Sequence, residues 1–325
     1  MTIRIKANYL GFILILIGVV AGCNVATRIE GEYYLNQGKY GLGVEKFDKK
    51  LKQDAFDAPA NFYMARYLLA LDRPKEALPY IKEAVALDFK NADYHFWSGV
   101  CFHELKRPKD ERKSYLMAIK YDPAHVQARL YLGHNYLDQK LWNKALKEYD
   151  RVLDLQRDQP QALYNRGLAL NKLQRFSDEI MAWKDYLAYY PEGGWAIQAV
   201  DHLNARGNFE YRNYLIGYRR VPFKRIEFEG ANAIFDEGTT SSLDEIGSIL
   251  MITQKINLKI SGYKDGNKVL ARKRAEVVKD YLITNFPDIQ SSRLAVAGMG
   301  SREKVQIDWK IFYLDDSLNI VTTRK

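Results

Sequence analysis

One register of 34 residues runs along the chain from Cys23 to Pro191. Its small-residue position reads Gly31, Ala65, Gly99, Gly133 and Gly167. Three residues on stand Tyr34, Leu68, Phe102, Tyr136 and Leu170. Twelve past the small residue come Gly43, Ala77, Glu111, Ala145 and Glu179, followed four later by Phe47, Ile81, Tyr115, Tyr149 and Trp183. Five units fit with no insertion between them. A unit of this length holds a pair of short helices that cannot bury its own apolar face, so the units must stack. Such stacks present concave surfaces to other proteins and seldom carry chemistry.

Composition narrows the class further. A chain of 325 residues suggests about two domains. Cys23 and Cys101 are the only cysteines, so no disulfide framework is implied. The five histidines form no metal-ligand pattern, and no Ser/His, Cys/His or paired-carboxylate signature accompanies them. We therefore expect no enzyme activity and no cofactor. The net charge of +9 is scattered among acidic residues, without a basic run. It implies weak attraction to anionic surfaces and no nucleic-acid partner.

Residues 1–22 read as a leader. Arg4 and Lys6 precede an apolar run, Leu10 to Val20, that is too short for an ordinary membrane span. The run ends in Val20-Ala21-Gly22-Cys23, which resembles the bacterial lipobox. That resemblance implies cleavage before Cys23 and a covalent lipid on its sulfur. Asn24 stands where an aspartate would signal inner-membrane retention in enteric bacteria, so the outer membrane, facing the periplasm, is the expected location.

The 34-residue register resembles the tetratricopeptide repeat. The fourth unit supplies Leu132-Gly133, Tyr136, Ala145 and Tyr149; the third Gly99, Phe102, Tyr115, Ala118 and Pro123; the fifth Gly167, Trp183 and Pro191. The resemblance implies an α-helical solenoid of five repeats over residues 23–193. Residues 194–206 then read as a capping helix and 207–221 as a linker. Glu111 and Glu179 replace the small residue expected at their position, so those units should be looser or their glutamates partnered. In this family the first helices line a groove. On this chain the groove positions include Phe62, Phe96, Tyr131 and Tyr164, which serve equally well as packing between hairpins, and His134, which reads chiefly as structural. The Lys and Asn set that grips a peptide's terminal carboxylate in chaperone-binding members is missing. An aromatic groove fits a segment with apolar anchors.

The rhythm changes near Val221-Pro222. Ile226, Phe228 and Phe235 open an extended segment. Ser242 reads as the cap of a helix, residues 256–260 as a strand, 269–283 as a helix, and 293–296 and 307–313 as strands. The order β-α-β-α-β-β implies a small α/β sandwich over residues 222–325. Gly262-Tyr263-Lys264-Asp265, the helix Leu270-Ala271-Arg272-Lys273-Arg274-Ala275 and Gly298-Met299-Gly300 resemble the OmpA-like peptidoglycan-binding domain. That resemblance places on Asp265 and Arg274 the roles of gripping the zwitterionic end of diaminopimelate in the wall peptide. The sequence departs from the pattern in a shorter loop between those two residues. It departs again in Tyr263-Lys264, and in the loss of an Asn-Arg-Arg element beyond Gly300, where Arg302 stands alone.

Together these features predict an envelope scaffold with three partners: the outer membrane through a lipid on Cys23, envelope proteins through the repeats, and peptidoglycan through the last domain. The competing expectation is an assembly factor of the pilotin type, whose last domain keeps the fold and does not bind the wall.

Overall fold

The structure is a computed structural model that describes residues 25–236 and 238–323. Cys23 and the leader lie outside the described residues. The chain divides after Arg157 into two compact units.

The first unit is a run of antiparallel helix pairs. Helix α1 spans 25–36 and α2 Tyr40–Gln53. The following pairs are α3 (Ala58–Ala70) with α4 (Pro74–Leu87), α5 (Ala92–Glu104) with α6 (Pro108–Tyr121), and α7 (Val126–Asp138) with α8 (Trp142–Leu155). The second unit opens with α9 (Pro160–Lys172), α10 (Phe176–Tyr189) and α11 (Gly193–Ala205).

The sequence period reappears in local geometry. Asp57, Asn91, His125 and Gln159 each accept a hydrogen bond from the backbone N–H three residues on, capping α3, α5, α7 and α9. Gly38, Asp72, Lys106, Lys140 and Gln174 all take φ between 55° and 64° at the tight turn inside each pair. At Gly99, Gly133 and Gly167 the ring sixteen residues on lies against the glycine. A Cβ on Gly133 would fall 2.6 Å from the Tyr149 ring, and one on Gly167 would fall 2.8 Å from Trp183. No side chain larger than hydrogen fits there unless the ring shifts. The rings themselves are fully buried, each contributing about 1.5–3 kcal/mol of apolar burial.

Both glutamates at the small-residue position are buried and partnered. Glu111 pairs with His103 at 3.3 Å. Burial pushes its carboxyl above the usual range, against the pull of Asn135 and His103. Glu179 accepts from Asn171 (2.7 Å), Trp183 Nε1 (3.3 Å) and Arg206 (3.0 Å). Burial would raise its carboxyl, but the donors from His202, Asn171, Trp183 and Arg206 outweigh it and hold the pKa low. His202 lies in α11 and Arg206 directly follows it, so Glu179 clamps the capping helix onto the fifth pair.

The second unit continues into strands. The expected linker is instead a hairpin: β1 (Tyr211–Ile216) pairs antiparallel with β2 (Arg219–Lys224) across a Gly217-Tyr218 turn. Tyr214, Ile216 and Phe223 enter the core of the C-terminal domain, so apolar burial fixes this segment. Helix α12 (Thr240–Ile252), strand β3 (Asn257–Lys264), helix α13 (Lys268–Asn285) and strand β4 (Leu294–Met299) follow. Then come β5 (Glu303–Ile307), β6 (Lys310–Leu314) and β7 (Asp316–Thr323). The central sheet has the order β4-β3-β7, with β3 parallel to β4 and antiparallel to β7. Ser242 is no cap; it lies inside α12 and its hydroxyl donates to the Lys224 carbonyl at 3.0 Å. The expected strand over 307–313 is the turn and second arm of the β5–β6 hairpin.

Candidate functional site

In the repeats, burial sorts the groove residues. Phe62 packs on Tyr94 (ring centroids 4.8 Å) and Phe96 on His125 (5.2 Å) and Tyr131 (5.4 Å). Tyr164 stacks on Trp195 at 4.9 Å and its hydroxyl donates to Gln198 at 2.5 Å. All three rings are buried; Phe96 and Tyr164 pack between helices, while Phe62, packed on Tyr94, also lines a pocket on the concave face. Tyr131 stays 36% exposed. His134 is half-buried between Tyr131 and Tyr149, and burial lowers its pKa.

A concave pocket of about 200 Å³ opens beside Phe62, between the first helices of successive pairs. Glu32 on α1, Tyr63 and Arg66 on α3, and Asp93 and Trp97 on α5 are among its lining residues. Arg66 lies 4.5 Å from the Trp97 ring centroid and 3.0 Å from Glu32, which also accepts from the Tyr63 hydroxyl at 3.0 Å. The His125 ring, 3.3 Å from Asp93, holds its carboxyl low, against burial. Trp97 stands one residue past Phe96, and Arg66 four past Phe62, both at groove positions. The sequence register marks those positions, but residue type alone does not separate them from the rings beside them.

In the C-terminal domain, two glycines set the site. Gly262 on β3 and Gly298 on β4 are direct partners across the parallel pair. A Cβ on Gly262 would overlap the Ala271 carbonyl, and one on Gly298 would fall 2.5 Å from Arg272. Their absent side chains let α13 rest on the sheet, which brings its first turn over the carboxyl ends of β3 and β4. Asn267 caps that turn, accepting from the Leu270 N–H at 3.0 Å.

The structure does not bring Asp265 and Arg274 into one open site. Arg274 is 2% exposed. Its Nε donates to the Asn232 carbonyl (2.9 Å), one terminal nitrogen to the Gly230 carbonyl (2.7 Å), and the other to Asp316 of β7. Its guanidinium also lies over the Phe228 ring at 4.8 Å. Lys264 meets the second oxygen of Asp316 at 3.0 Å. Burial would raise the Asp316 carboxyl; the bonds from Arg274 and Lys264 outweigh it and keep its pKa below the ordinary value. Asp265 is solvent-exposed and pairs with Arg302 at 3.2 Å, and Arg302 meets Asp315 at 2.8 Å.

Models of known families match both parts. Tetratricopeptide repeat models cover residues 28–88, 62–126 and 133–174, and the OmpA family covers residues 227–309. The chain is a tetratricopeptide-repeat protein with a C-terminal OmpA-family domain. A human relative, protein O-mannosyl-transferase TMTC3, is 26% identical over 166 residues, half of this chain and 18% of that protein. The chain thus spans under a fifth of that relative's length. Among solved structures, one from a functional characterization of Pseudomonas aeruginosa pilF is 20% identical. It covers 58% of this chain and 87% of its own, with a TM-score of 0.53, a likeness of helical-repeat fold. YrrB, described as a TPR protein with an unusual peptide-binding site, is 17% identical over 53% of this chain and 89% of its own, with a TM-score of 0.47. The OmpA-family match encloses Asp265, Arg274 and Arg302, and the repeat matches enclose the Arg66–Trp97 pocket.

Proposed function

We propose that the protein is an envelope scaffold, tethered to the outer membrane by a lipid on Cys23, that binds proteins through its repeats and peptidoglycan through its OmpA-family domain. The observation that carries this reading is one chain holding both a repeat stack with a concave aromatic-and-charged pocket and an OmpA-family domain with Asp265 in solvent. The repeat pocket mixes a Trp face with Arg66, Glu32 and Asp93. It suits an extended segment carrying an apolar anchor beside charged groups. The two sites supply binding groups: Arg66 with Glu32 in the repeats, and Asp265 with Arg302 in the last domain.

The decisive experiment is co-sedimentation of the full mature chain with purified sacculi. The chain should pellet with the wall and Asp265→Ala should weaken it; a chain that stays in the supernatant overturns wall docking. For the anchor, Cys23→Ser should leave uncut precursor without lipid, and normal processing would refute it. For the repeats, Trp97→Ala should abolish crosslinking to envelope proteins that the native chain captures.

The sealed Arg274 favours one second reading, an assembly factor whose last domain keeps the fold and leaves the wall alone. Under that reading the repeats carry the whole function, and the sacculus experiment separates the two.

A further inference from the structure

We propose that the notch between the end of α11 and the turn of the β5–β6 hairpin binds a β-linked amino-sugar chain, with Trp309 as its stacking platform. The proposal rests on the wall-docking reading, since the wall is where this protein would meet such a polymer. It adds a contact with the glycan to the contact with the wall peptide.

The inward face of the hairpin holds it over the end of the capping helix. Arg212 pairs with Glu303 at 2.7 Å, and Phe312 meets the Phe209 ring edge-on at 5.2 Å. Lys310 Nζ donates to the Ala205 carbonyl at 3.5 Å. These contacts leave a cavity of about 150 Å³ between the hairpin turn and α11. Asn171, His202, Arg206, Asp308, Trp309 and Lys310 are among its lining residues. A water molecule takes up ~30 Å³ of liquid, so roughly five would fill the notch, the space of one pyranose ring. Helix α11 and residues 310–314 lie outside the family matches.

Trp309 points to a ligand. An indole carries a large apolar surface, yet this one stays 83% exposed at the rim of a cavity. Lys310 Nζ lies 5.3 Å from the ring centroid and takes one face. The exposure leaves the other face open. Along β6, Ile311 (47%) and Tyr313 (59%) are also exposed and share the outward face. The apolar strip therefore continues beyond the notch.

Charge and shape decide the ligand class. Arg206 is paired with Glu179, and Lys310 shares the turn with Asp308, so the notch carries no net charge. An acidic segment would meet Asp308 and the Glu179 carboxylate, and a basic one would meet Arg206 and Lys310. A purely apolar segment would leave the polar rim without partners. A sugar ring is neutral. Its C–H face meets the negative face of the indole, and the hydroxyl and acetamido groups at its edge both donate and accept. Asp308 offers an acceptor, Lys310 a donor and the Asn171 amide both. A β-linked chain presents such faces in succession, which suits Trp309 followed by Tyr313.

The test uses the full mature chain and tetra-N-acetylchitotetraose, a soluble β-linked amino-sugar chain, by calorimetric titration beside sacculus co-sedimentation. The native chain should bind the probe. Trp309→Ala should weaken it about tenfold, the scale of one lost stacking contact, and Trp309→Phe should keep part of the affinity. The side chain is exposed, so unchanged melting should accompany the loss. Probe binding that survives Trp309→Ala unchanged overturns the notch. A native chain that pellets with sacculi but ignores the probe overturns the glycan site and leaves wall docking intact. One that binds the probe and stays off the sacculi supports the site and overturns wall docking, and one that binds neither overturns both. A concentration-dependent dimer by light scattering, lost in Trp309→Ala, makes a second copy the occupant and overturns the proposal.

Discussion

The guanidinium of Arg274 is a structural group. It ties β7 to the segment at Gly230–Asn232 through hydrogen bonds no apolar side chain can replace. Arg274→Met should therefore lower stability by about 2–3 kcal/mol, read by urea denaturation, because Asp316 loses its buried partner. The two repeat glutamates should respond in opposite ways. Glu179 has a lowered pKa, so its contribution is present above the unfolded carboxyl pKa and is lost as pH falls through the folded value. Glu179→Gln should cost about 2 kcal/mol at neutral pH, and the difference from native should shrink in acid. Glu111 has a raised pKa, so its charged form opposes folding above that value. Glu111→Gln should leave stability unchanged or raise it by about 1 kcal/mol at neutral pH, with no gain in acid. Thermal melts across pH check both. The sequence marks these glutamates as misfits that need partners. It does not say that Asn171, His202 and Arg206 would surround one while His103 serves the other, because those contacts join residues up to 27 apart.

At the scale of elements, the 34-residue period holds down to single backbone angles. Five turn residues share the left-handed conformation and four caps share one position, although the residue types differ. Small-residue sites are the strictest. Gly133→Ala should destabilise by about 1–3 kcal/mol, since the Tyr149 ring must move into packed neighbours; circular dichroism melting reads it. Helices were legible because their apolar spacing repeats. Strands were less so. The β1–β2 hairpin hid because Arg212, Asn213, Arg219 and Arg220 dilute its apolar residues, although Gly217 between two short runs was a turn signal. Strand β7 hid because it buries Leu318 and Ile320 between polar residues near the chain end. Its absence from the sequence reading concealed Asp316, and with it the reason Arg274 is closed. The groove shows the same limit: register places Phe96 and Trp97 side by side, and only packing reveals which ring turns inward.

For the whole molecule, the packing boundary and the family boundary do not coincide. The fifth helix pair and α11 belong with the C-terminal domain in one unit beginning at Asp158. Asp201 of α11 meets Asn213 and Arg220 of the hairpin, and the Asn204 side chain donates to the Asn208 and Tyr211 carbonyls. A fragment beginning at Asp158 should fold as a soluble monomer with one cooperative transition. A fragment beginning at Pro222 should aggregate, because it removes β1 and with it Tyr214 and Ile216 from the core; size-exclusion chromatography distinguishes them.

The Glu179 clamp has a mechanical meaning. If the last domain is held by a rigid wall while the chain is drawn from its other end, the load enters through the β1–β2 hairpin. It passes to α11 by way of Asp201 and on to α10 through Arg206 and Glu179. Side-chain bonds along that path share the tension before any helix pair can peel away. Under a steady pull this stretch should yield as one unit, with a single rupture where a simple tether would merely straighten.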